Sequence, residues 1–168
     1  MITSTLRALS TWLAKTSPSA MIQGTIWVIP AIQIVHIVSI SVTLSSVFLI
    51  DLRLIGVRFR NQPVVVIVSR FLPWARGSLA ALAVSGSFLI IGEPERSLTN
   101  RAFGLKMLIL TVAIVLTWII HRKLRMNPAY WDSNPTARAM GKGIAVVSLF
   151  LWSGVVLAGR WIAYLAPD

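Results

Sequence analysis

The sequence contains no cysteine and very little charge. Only 12% of its 168 residues are Asp, Glu, Lys or Arg, whereas a soluble domain carries about 25% charged residues. The absence of cysteine excludes disulfides, thiolate metal sites, iron–sulfur clusters and covalently attached haem. The shortage of charged side chains excludes water as the main solvent of the folded chain.

Acidic residues are the scarcest charged type, and they form no recognisable catalytic motif. The five Asp and Glu residues lie in predicted loops, at the ends of predicted helices or at the C-terminus, and Asp51 marks the end of the first apolar run. No set of His, Asp and Glu has the spacing of a metal site, and phosphate-binding glycine motifs are absent. The sequence therefore gives no indication of an enzyme.

Long apolar runs dominate what is present. Hydrophobic residues make up 56% of the chain, and its mean hydropathy is +0.77. An α-helix needs about 20 apolar residues to cross a hydrocarbon core of about 30 Å. The runs predict four membrane spans, at residues 26–50, 72–91, 103–120 and 143–165. We expect an all-α integral membrane protein, a four-helix bundle.

Two shorter segments fall outside these spans. Residues 1–25 have no continuous apolar core of the kind found in a cleavable signal peptide, but Leu6, Leu9, Trp12 and Leu13 recur at helical spacing. That pattern predicts an amphipathic helix in the membrane interface. Residues 63–72 are apolar but too few to span, and we predict a surface or re-entrant helix there.

The formal net charge of +11 is concentrated between the apolar runs. This pattern is typical of membrane proteins that contact anionic lipid head groups, and it argues against nucleic acid as a partner. Ten Lys and Arg residues lie in the first and third connections, and six lie on the other side. The positive-inside rule then predicts that both termini are outside the cytoplasm.

The single histidine within a span, His36, belongs to a polar stripe. Ser39, Thr43 and Ser46 fall on its side of the helix, and Gln33 borders it. Such a stripe must face other helices or a cavity. His36 could ligate a haem shared with a partner subunit, handle protons or bind a quinone, or ligate copper with methionine support. Equally, it could form an interhelical hydrogen bond to a serine, a threonine or a backbone carbonyl.

The second histidine, His121, is a weaker candidate cofactor ligand. It precedes Arg122, Lys123 and Arg125 at the end of the third span, so contact with lipid head groups is the favoured interpretation. Its predicted depth differs from that of His36 by about 15 to 20 Å. This separation argues against a haem held by both histidines of one chain.

Arg160 is predicted near the outer end of the fourth span, on the same side of the membrane as Glu93 and Glu95. A salt bridge between these residues would be a structural clamp, and recognition of an anionic ligand is the alternative. Because His36 and Arg160 lie in the same half of the membrane, one outer cavity could involve both.

A set of short motifs resembles a family of small four-span bacterial membrane proteins known only as a domain of unknown function. The motifs, which cover most of the chain from Trp27 onward, are Gln33-Ile-Val-His36, Asp51-Leu-Arg-Leu-Ile-Gly56, Leu72-Pro-Trp74-Ala, Asn100-Arg-Ala-Phe-Gly-Leu-Lys106, His121-Arg122, Ser148-Leu-Phe-Leu-Trp152-Ser-Gly154 and Ala158-Gly-Arg160-Trp-Ile-Ala-Tyr164. The resemblance implies a bacterial inner-membrane protein, with termini that the charge bias places in the periplasm. A looser likeness to cytochrome b-like and copper-export membrane domains suggests haem or copper.

These features favour an accessory or structural subunit of a larger membrane assembly, redox or energy-transducing in type. Small residues along the second span and seven tryptophans suit helices covered partly by lipid and partly by other subunits or a second copy of the chain. One alternative is an electron carrier with haem b as its cofactor. The other is a small transporter or metal-handling protein with a path lined by His36, Thr43 and Ser46.

Overall fold

The computed structural model describes residues 2–162 and residue 164, and within them the regular structure is entirely helical. The elements in chain order are α1 (Ile2–Ala14), α2 (Ser17–Gly24), α3 (Val28–Ile55), α4 (Val64–Gly92), α5 (Pro94–Leu98), α6 (Arg101–Met126), α7 (Tyr130–Ser133) and α8 (Pro135–Trp161). Four of these helices, α3, α4, α6 and α8, are long and apolar enough to cross a membrane. The predicted all-α four-helix bundle is confirmed.

Helix α3 holds the bundle together, because it packs between α4 and α8, while α8 also packs against α6. One core cluster lies near the α3–α4 and α6–α7 connections and contains Ile50, Ile67, Leu124 and Trp131. A second cluster lies deeper in the bundle, around Val47, Ala75, Ala113 and Trp152. Most other apolar side chains of the four helices point outward, as expected when the surrounding solvent is hydrocarbon.

Helix α3 is longer than the apolar run that predicted it. The helix continues through Asp51 to Ile55 and ends at Gly56, whose φ of 88° lies in the left-handed region that favours glycine. The Gly56 N–H bonds to the carbonyls of Leu52 and Arg53. Asp51 therefore lies inside α3, four residues before its last residue, and the helix does not stop where the apolar run does.

Helix α4 is also continuous where the sequence predicted two pieces. It begins at Val64 and runs to Gly92, so residues 64–72 belong to the spanning helix and not to a separate surface or re-entrant segment. Pro63 precedes the first helical residue, and Asp132 accepts a hydrogen bond from the Val64 N–H at 2.9 Å. This contact satisfies a backbone donor at a helix N-terminus and stabilises the early start.

The N-terminal residues form two helices. Helix α1 covers the predicted amphipathic segment and packs against α5, and α2 begins after Thr16 with Pro18 in its first turn. The Gln23 side chain of α2 donates to the Gly92 carbonyl at the end of α4, at 2.9 Å. The predicted fourth span ended at Leu165, and its last residues partly lie outside the part of the chain that the structure describes.

A network of charged and polar contacts closes the end of the bundle that carries the basic connections. Arg53 forms a salt bridge to Asp132 at 2.8 Å and donates through Nε to the Gln62 carbonyl at 2.6 Å. The Asp132 carbonyl accepts from Arg138 at 2.8 Å. Together with the Val64 cap, these bonds join α3, α4, α7 and α8, and we name the group the Asp132 clasp.

Candidate functional site

The polar stripe of α3 faces α4. His36 Nδ1 lies 2.8 Å from Ser85 Oγ, and Thr43 Oγ1 lies 2.7 Å from Ser78 Oγ. Ser39 and Ser46 are buried and donate to carbonyls of their own helix. The prediction that this stripe faces another helix is confirmed. Of the contacts proposed for His36, the structure shows the interhelical hydrogen bond to a serine.

The surroundings of His36 differ from those expected. Gln33 is exposed on the outside of the bundle, and the half-buried Lys106 of α6 is the cationic neighbour of His36. The alkyl chain of Lys106 also packs against Gly159. A Cβ added to Gly159 would lie 3.7 Å from Lys106 Cδ. A basic side chain in this position repels a cationic metal at His36.

The two histidines lie at different depths, as predicted. Along α4, His36 meets Ser85, whereas His121 has Arg76 as an electrostatic neighbour. Nine residues of helix between Ser85 and Arg76 correspond to about 14 Å. His121 also lies beside Arg125, which places it in the basic cluster expected from the sequence.

The predicted clamp between Arg160 and the acidic loop is wrong. Arg160 is exposed, donates to the Tyr164 hydroxyl at 2.7 Å and stacks its guanidinium over the Tyr164 ring at 5.1 Å. Glu93 pairs instead with Arg96, three residues away on the same turn, at 3.1 Å. Both side chains bond to partners within four residues because such contacts require no ordering of distant segments.

A different residue, Asp51, has the surroundings of a functional group. Its relative exposure is 0%, and neither carboxylate oxygen has a hydrogen-bond partner among the described residues. Burying a carboxyl group without such partners is costly whichever protonation state it adopts. A native fold satisfies such a group with a partner beyond its own side chains, either an ordered water or a ligand.

Asp51 lies in the floor of a cleft between α3 and α8. The cleft has a volume of about 510 Å³. Its floor contains the buried side chains of Val47, Asp51 and Trp152. Its mouth is formed by exposed residues of both helices, namely Ser45, Phe48, Ser153, Val156 and Leu157. Since these residues lie on the outer surface of the bundle, the cleft opens sideways, toward lipid in a membrane.

Two further polar groups near Asp51 are also buried, and neither has a partner within the described part of the chain. These are Trp152 Nε1, in the floor of the cleft, and Ser148 Oγ, one turn earlier on α8. The Ser148 hydroxyl lies beside the Asp51 carboxyl, but no hydrogen bond of normal distance and angle joins them. Unpartnered donors and acceptors therefore collect at one point of the α3–α8 interface.

The side of Asp51 that faces the basic connections is closed by tight packing. One turn further along α3, Leu54 packs with Trp131 around Gly141 of α8. A Cβ added to Gly141 would lie 3.0 Å from Trp131 Cε3 and 3.4 Å from Leu54 Cδ2, so only glycine fits there without displacement. This layer separates Asp51 from the Asp132 clasp.

The described residues contain no group of three His, Cys, Asp or Glu side chains close enough to hold a metal ion. Asp51, Ser148 and Trp152 supply one carboxyl, one hydroxyl and one indole N–H, and the indole N–H is a donor only. Such a set suits hydrogen bonding to a molecule better than coordination of a metal.

Asp51 is not among the functional residues predicted from the sequence, because a first charge after an apolar run is normally taken as the end of the helix. A signal was present in Leu52, Leu54 and Ile55, which continue the apolar pattern beyond the carboxylate, and in Gly56, a residue typical of the position after a helix. Reading the helix to Gly56 would have placed Asp51 one turn inside it.

A comparison with family models gives one match, described as a family of unknown function, DUF6644, which covers residues 11–165. No curated protein and no solved structure matches the chain.

Proposed function

Because the chain belongs to DUF6644, a family of unknown function, we propose a function from its own geometry. The protein binds a small membrane-soluble molecule in the cleft between α3 and α8, and Asp51 is the residue that recognises it. Such a protein would belong to the class of small membrane transporters and carriers. The observation that carries the proposal is the fully buried Asp51 carboxyl, which has no hydrogen-bond partner in the described part of the fold.

The position of Asp51 supports a binding role more than a structural one. An ionisable residue within a spanning helix is expensive, and such residues commonly mark the path of a substrate, an ion or a proton. A structural carboxylate would satisfy its oxygens with neighbouring donors, as Asp132 does. Among the described residues the Asp51 carboxyl makes no such bonds, so its acceptor capacity is not used by the fold.

The dimensions of the cleft support the same conclusion. Binding sites for small molecules usually measure about 300 to 1,000 Å³, are mainly apolar and contain a few polar groups. The α3–α8 cleft has about 510 Å³, with Asp51 and Trp152 as the polar groups of its floor. Its lateral mouth and the closed layer at Gly141 favour entry from the membrane.

Purification of the wild-type protein and an Asp51→Leu variant in polymer-bounded native membrane discs tests this function. We expect mass spectrometry of the extracts to find a small molecule near one per wild-type chain. In Asp51→Leu it should fall by about tenfold or more, because a buried hydrogen bond to the carboxyl is lost.

A Ser41→Ala variant is the matched control, because Ser41 is an exposed residue of the same helix outside the cleft. Its hydroxyl donates to the Ile37 carbonyl, so its loss leaves the bundle intact. The extract of Ser41→Ala should equal that of the wild type. Identical extracts from the wild type and Asp51→Leu would overturn the proposed function.

An accessory role in a larger redox or energy-transducing assembly of the bacterial inner membrane stays a prediction. The exposed hydroxyls of Ser41, Ser87 and Thr111 each donate to a carbonyl of their own helix. They are therefore compatible with lipid as well as with a partner helix. Association with partner subunits or a second copy is checked by the subunit composition of the same native discs.

The haem b alternative also stays a prediction, and the fold adds an argument against it. A haem iron at His36 Nδ1 would compete with the Ser85 hydrogen bond, and Lys106 is a cationic neighbour of the same ring. A second axial ligand would have to come from another chain or another residue type. A Soret band in the spectrum of the purified protein would support haem.

A further inference from the structure

We propose that the α3–α8 cleft selects amphipathic molecules whose head group carries a hydroxyl, which hydrogen-bonds to both Asp51 and Trp152. This inference rests on the proposed function and names the chemistry of its ligand. A hydroxyl head group combines a donor with an acceptor, and the apolar remainder of the molecule fills the rest of the cleft.

The hydrogen-bonding groups in the floor of the cleft determine which head group fits. Neither Asp51 oxygen has a hydrogen-bond partner among the described residues, and the neighbouring Ser148 hydroxyl could donate to only one of them. In either protonation state at least one oxygen is an acceptor. Trp152 Nε1–H is buried, unpartnered and able only to donate. A head group that satisfies both must donate to the carboxyl and accept from the indole. A hydroxyl does this with one oxygen atom.

Head groups of other chemistry leave one of these atoms unsatisfied. An ammonium group donates to Asp51 but has no lone pair for the Trp152 N–H, whereas an ether accepts from Trp152 and cannot donate. Leaving a buried polar atom unpaired strongly disfavours the analogue that lacks the matching group. The floor therefore discriminates hydroxyls from ammonium groups and from ethers.

The shape of the cleft determines how the rest of the molecule lies. Asp51 and Trp152 form its polar part, and the walls run along α3 to Leu44 and along α8 to Leu157. The seven residues from Asp51 to Leu44 correspond to about 10 Å of helix. Asp51 lies one turn from the end of α3, so the head group would lie near the membrane surface and the apolar chain toward its middle. This is the orientation of an amphiphile in one leaflet.

Two sources share this chemistry. One is a hydroquinone, which carries phenolic hydroxyls on a ring with an apolar tail, and the other is a lipid alcohol with a hydroxyl on an acyl or alkyl chain. Both present a donor and an acceptor on an apolar body. The binding experiment separates them by using one probe of each kind.

The experiment measures saturation binding to the wild-type protein in lipid nanodiscs, with non-specific partitioning subtracted from discs without protein. The probes are decylhydroquinone kept reduced under argon, its dimethyl ether, dodecanol and dodecylamine. We expect saturable binding near one per chain for a hydroxyl probe. Binding of the ether and the amine should be weaker by about tenfold or more. Preference between decylhydroquinone and dodecanol identifies the source.

Two variants test the geometry. Trp152→Phe retains an aromatic ring and removes the N–H, so it should weaken hydroxyl binding several-fold and leave amine binding unchanged. Ser153→Trp places a large side chain at the mouth and should abolish binding of every probe while Asp51 stays in place. The Ser41→Ala control should bind all four probes as the wild type does.

Equal affinity of the wild type for dodecylamine and the hydroxyl probes would overturn the inference, and so would full binding by Ser153→Trp. The proposed function can fail separately. If no hydroxyl probe binds but Asp51→Leu loses a molecule that co-purifies with the wild type, the head-group assignment is wrong and the binding role of Asp51 stands. If the extracts are also identical, both are wrong.

Discussion

The two aspartates near the basic end of the bundle, Asp51 and Asp132, differ in almost every contact. Asp132 is partly exposed, and its side chain bonds to Arg53 at 2.8 Å and to the Val64 N–H at 2.9 Å. Asp51 is completely buried, and its side-chain oxygens have no partner among the described residues. The more deeply buried carboxyl is thus the less satisfied one, which is the reverse of what folding stability alone would select.

This contrast separates the roles of the two residues. Asp132 ties the start of α4 to the end of α3 and to the segment before α8, so its bonds contribute to the fold. Asp51 contributes no comparable bond, and the layer at Gly141 keeps it apart from the clasp. Changing each carboxyl in turn tests whether the two residues have these different roles.

The largest expected difference is in chemical reactivity. Hydrophobic carbodiimides dissolve in the membrane and react with protonated carboxyl groups, and a buried carboxyl without a cationic partner favours the protonated form. Treatment of native membranes with dicyclohexylcarbodiimide should modify Asp51 and leave Asp132 unmodified, because Asp132 is paired with Arg53. Peptide mass spectrometry locates the adduct. Equal modification of both residues would remove the distinction between them.

The second prediction concerns the clasp. An Asp132→Ala variant should lose about 3 kcal/mol of unfolding free energy, because it leaves Arg53 without its carboxylate and the start of α4 without its cap. The Arg53 side chain is 12% exposed, so little water is available to replace the lost partner. Equilibrium unfolding in mixed detergent micelles measures the change. Glu93→Ala, which breaks the exposed pair with Arg96, is the control and should cost about 0.5 kcal/mol or less.

The third prediction concerns the layer between the two aspartates. Gly141→Ala should destabilise the protein by about 1 to 2 kcal/mol, because the new methyl group meets Trp131 at 3.0 Å. Gly143→Ala is the matched control, since nothing lies within 4 Å of a Cβ added there. The same unfolding assay compares the two. A stabilised Gly141→Ala variant would mean that the layer is loosely packed and that Asp51 is less isolated than the structure indicates.

The fourth prediction applies to Asp51 itself. Asp51→Leu should retain the wild-type unfolding free energy or gain about 1 kcal/mol, since replacing an unpartnered buried polar group by an apolar one of similar size removes a cost. The expected sign is opposite to that of Asp132→Ala. A loss of about 2 kcal/mol or more would show that Asp51 has a structural partner and would contradict its assignment as a binding residue.

The smallest expected effect is at the polar contact between α3 and α4. A double-mutant cycle with Thr43→Val and Ser78→Ala should give a coupling energy of about 0.6 kcal/mol, because interhelical hydrogen bonds in membranes are weak. The Thr43 and Ser78 hydroxyls are 2.7 Å apart. A coupling energy of about 2 kcal/mol would instead rank this contact with the Asp132 clasp.

The same two aspartates also show which features could not be predicted from the sequence. The polar stripe was recognised because His36, Ser39, Thr43 and Ser46 share one face of a helix that can be drawn from periodicity alone. Neither aspartate was recognised, because their surroundings depend on residues far along the chain. Asp132 meets Arg53 across 79 positions, and Asp51 is enclosed by residues of α8.

Length, hydropathy and helical periodicity are local properties, and they were enough to predict the class of protein, the number of long helices and the polar face of α3. The partners of polar groups on different helices depend instead on how the helices pack. Packing between helices gave His36 a serine and Asp132 an arginine, and it left Asp51 beside Trp152 at the floor of a cleft. The physical reason is that hydrogen-bond satisfaction depends on the relative placement of helices, which no single segment encodes.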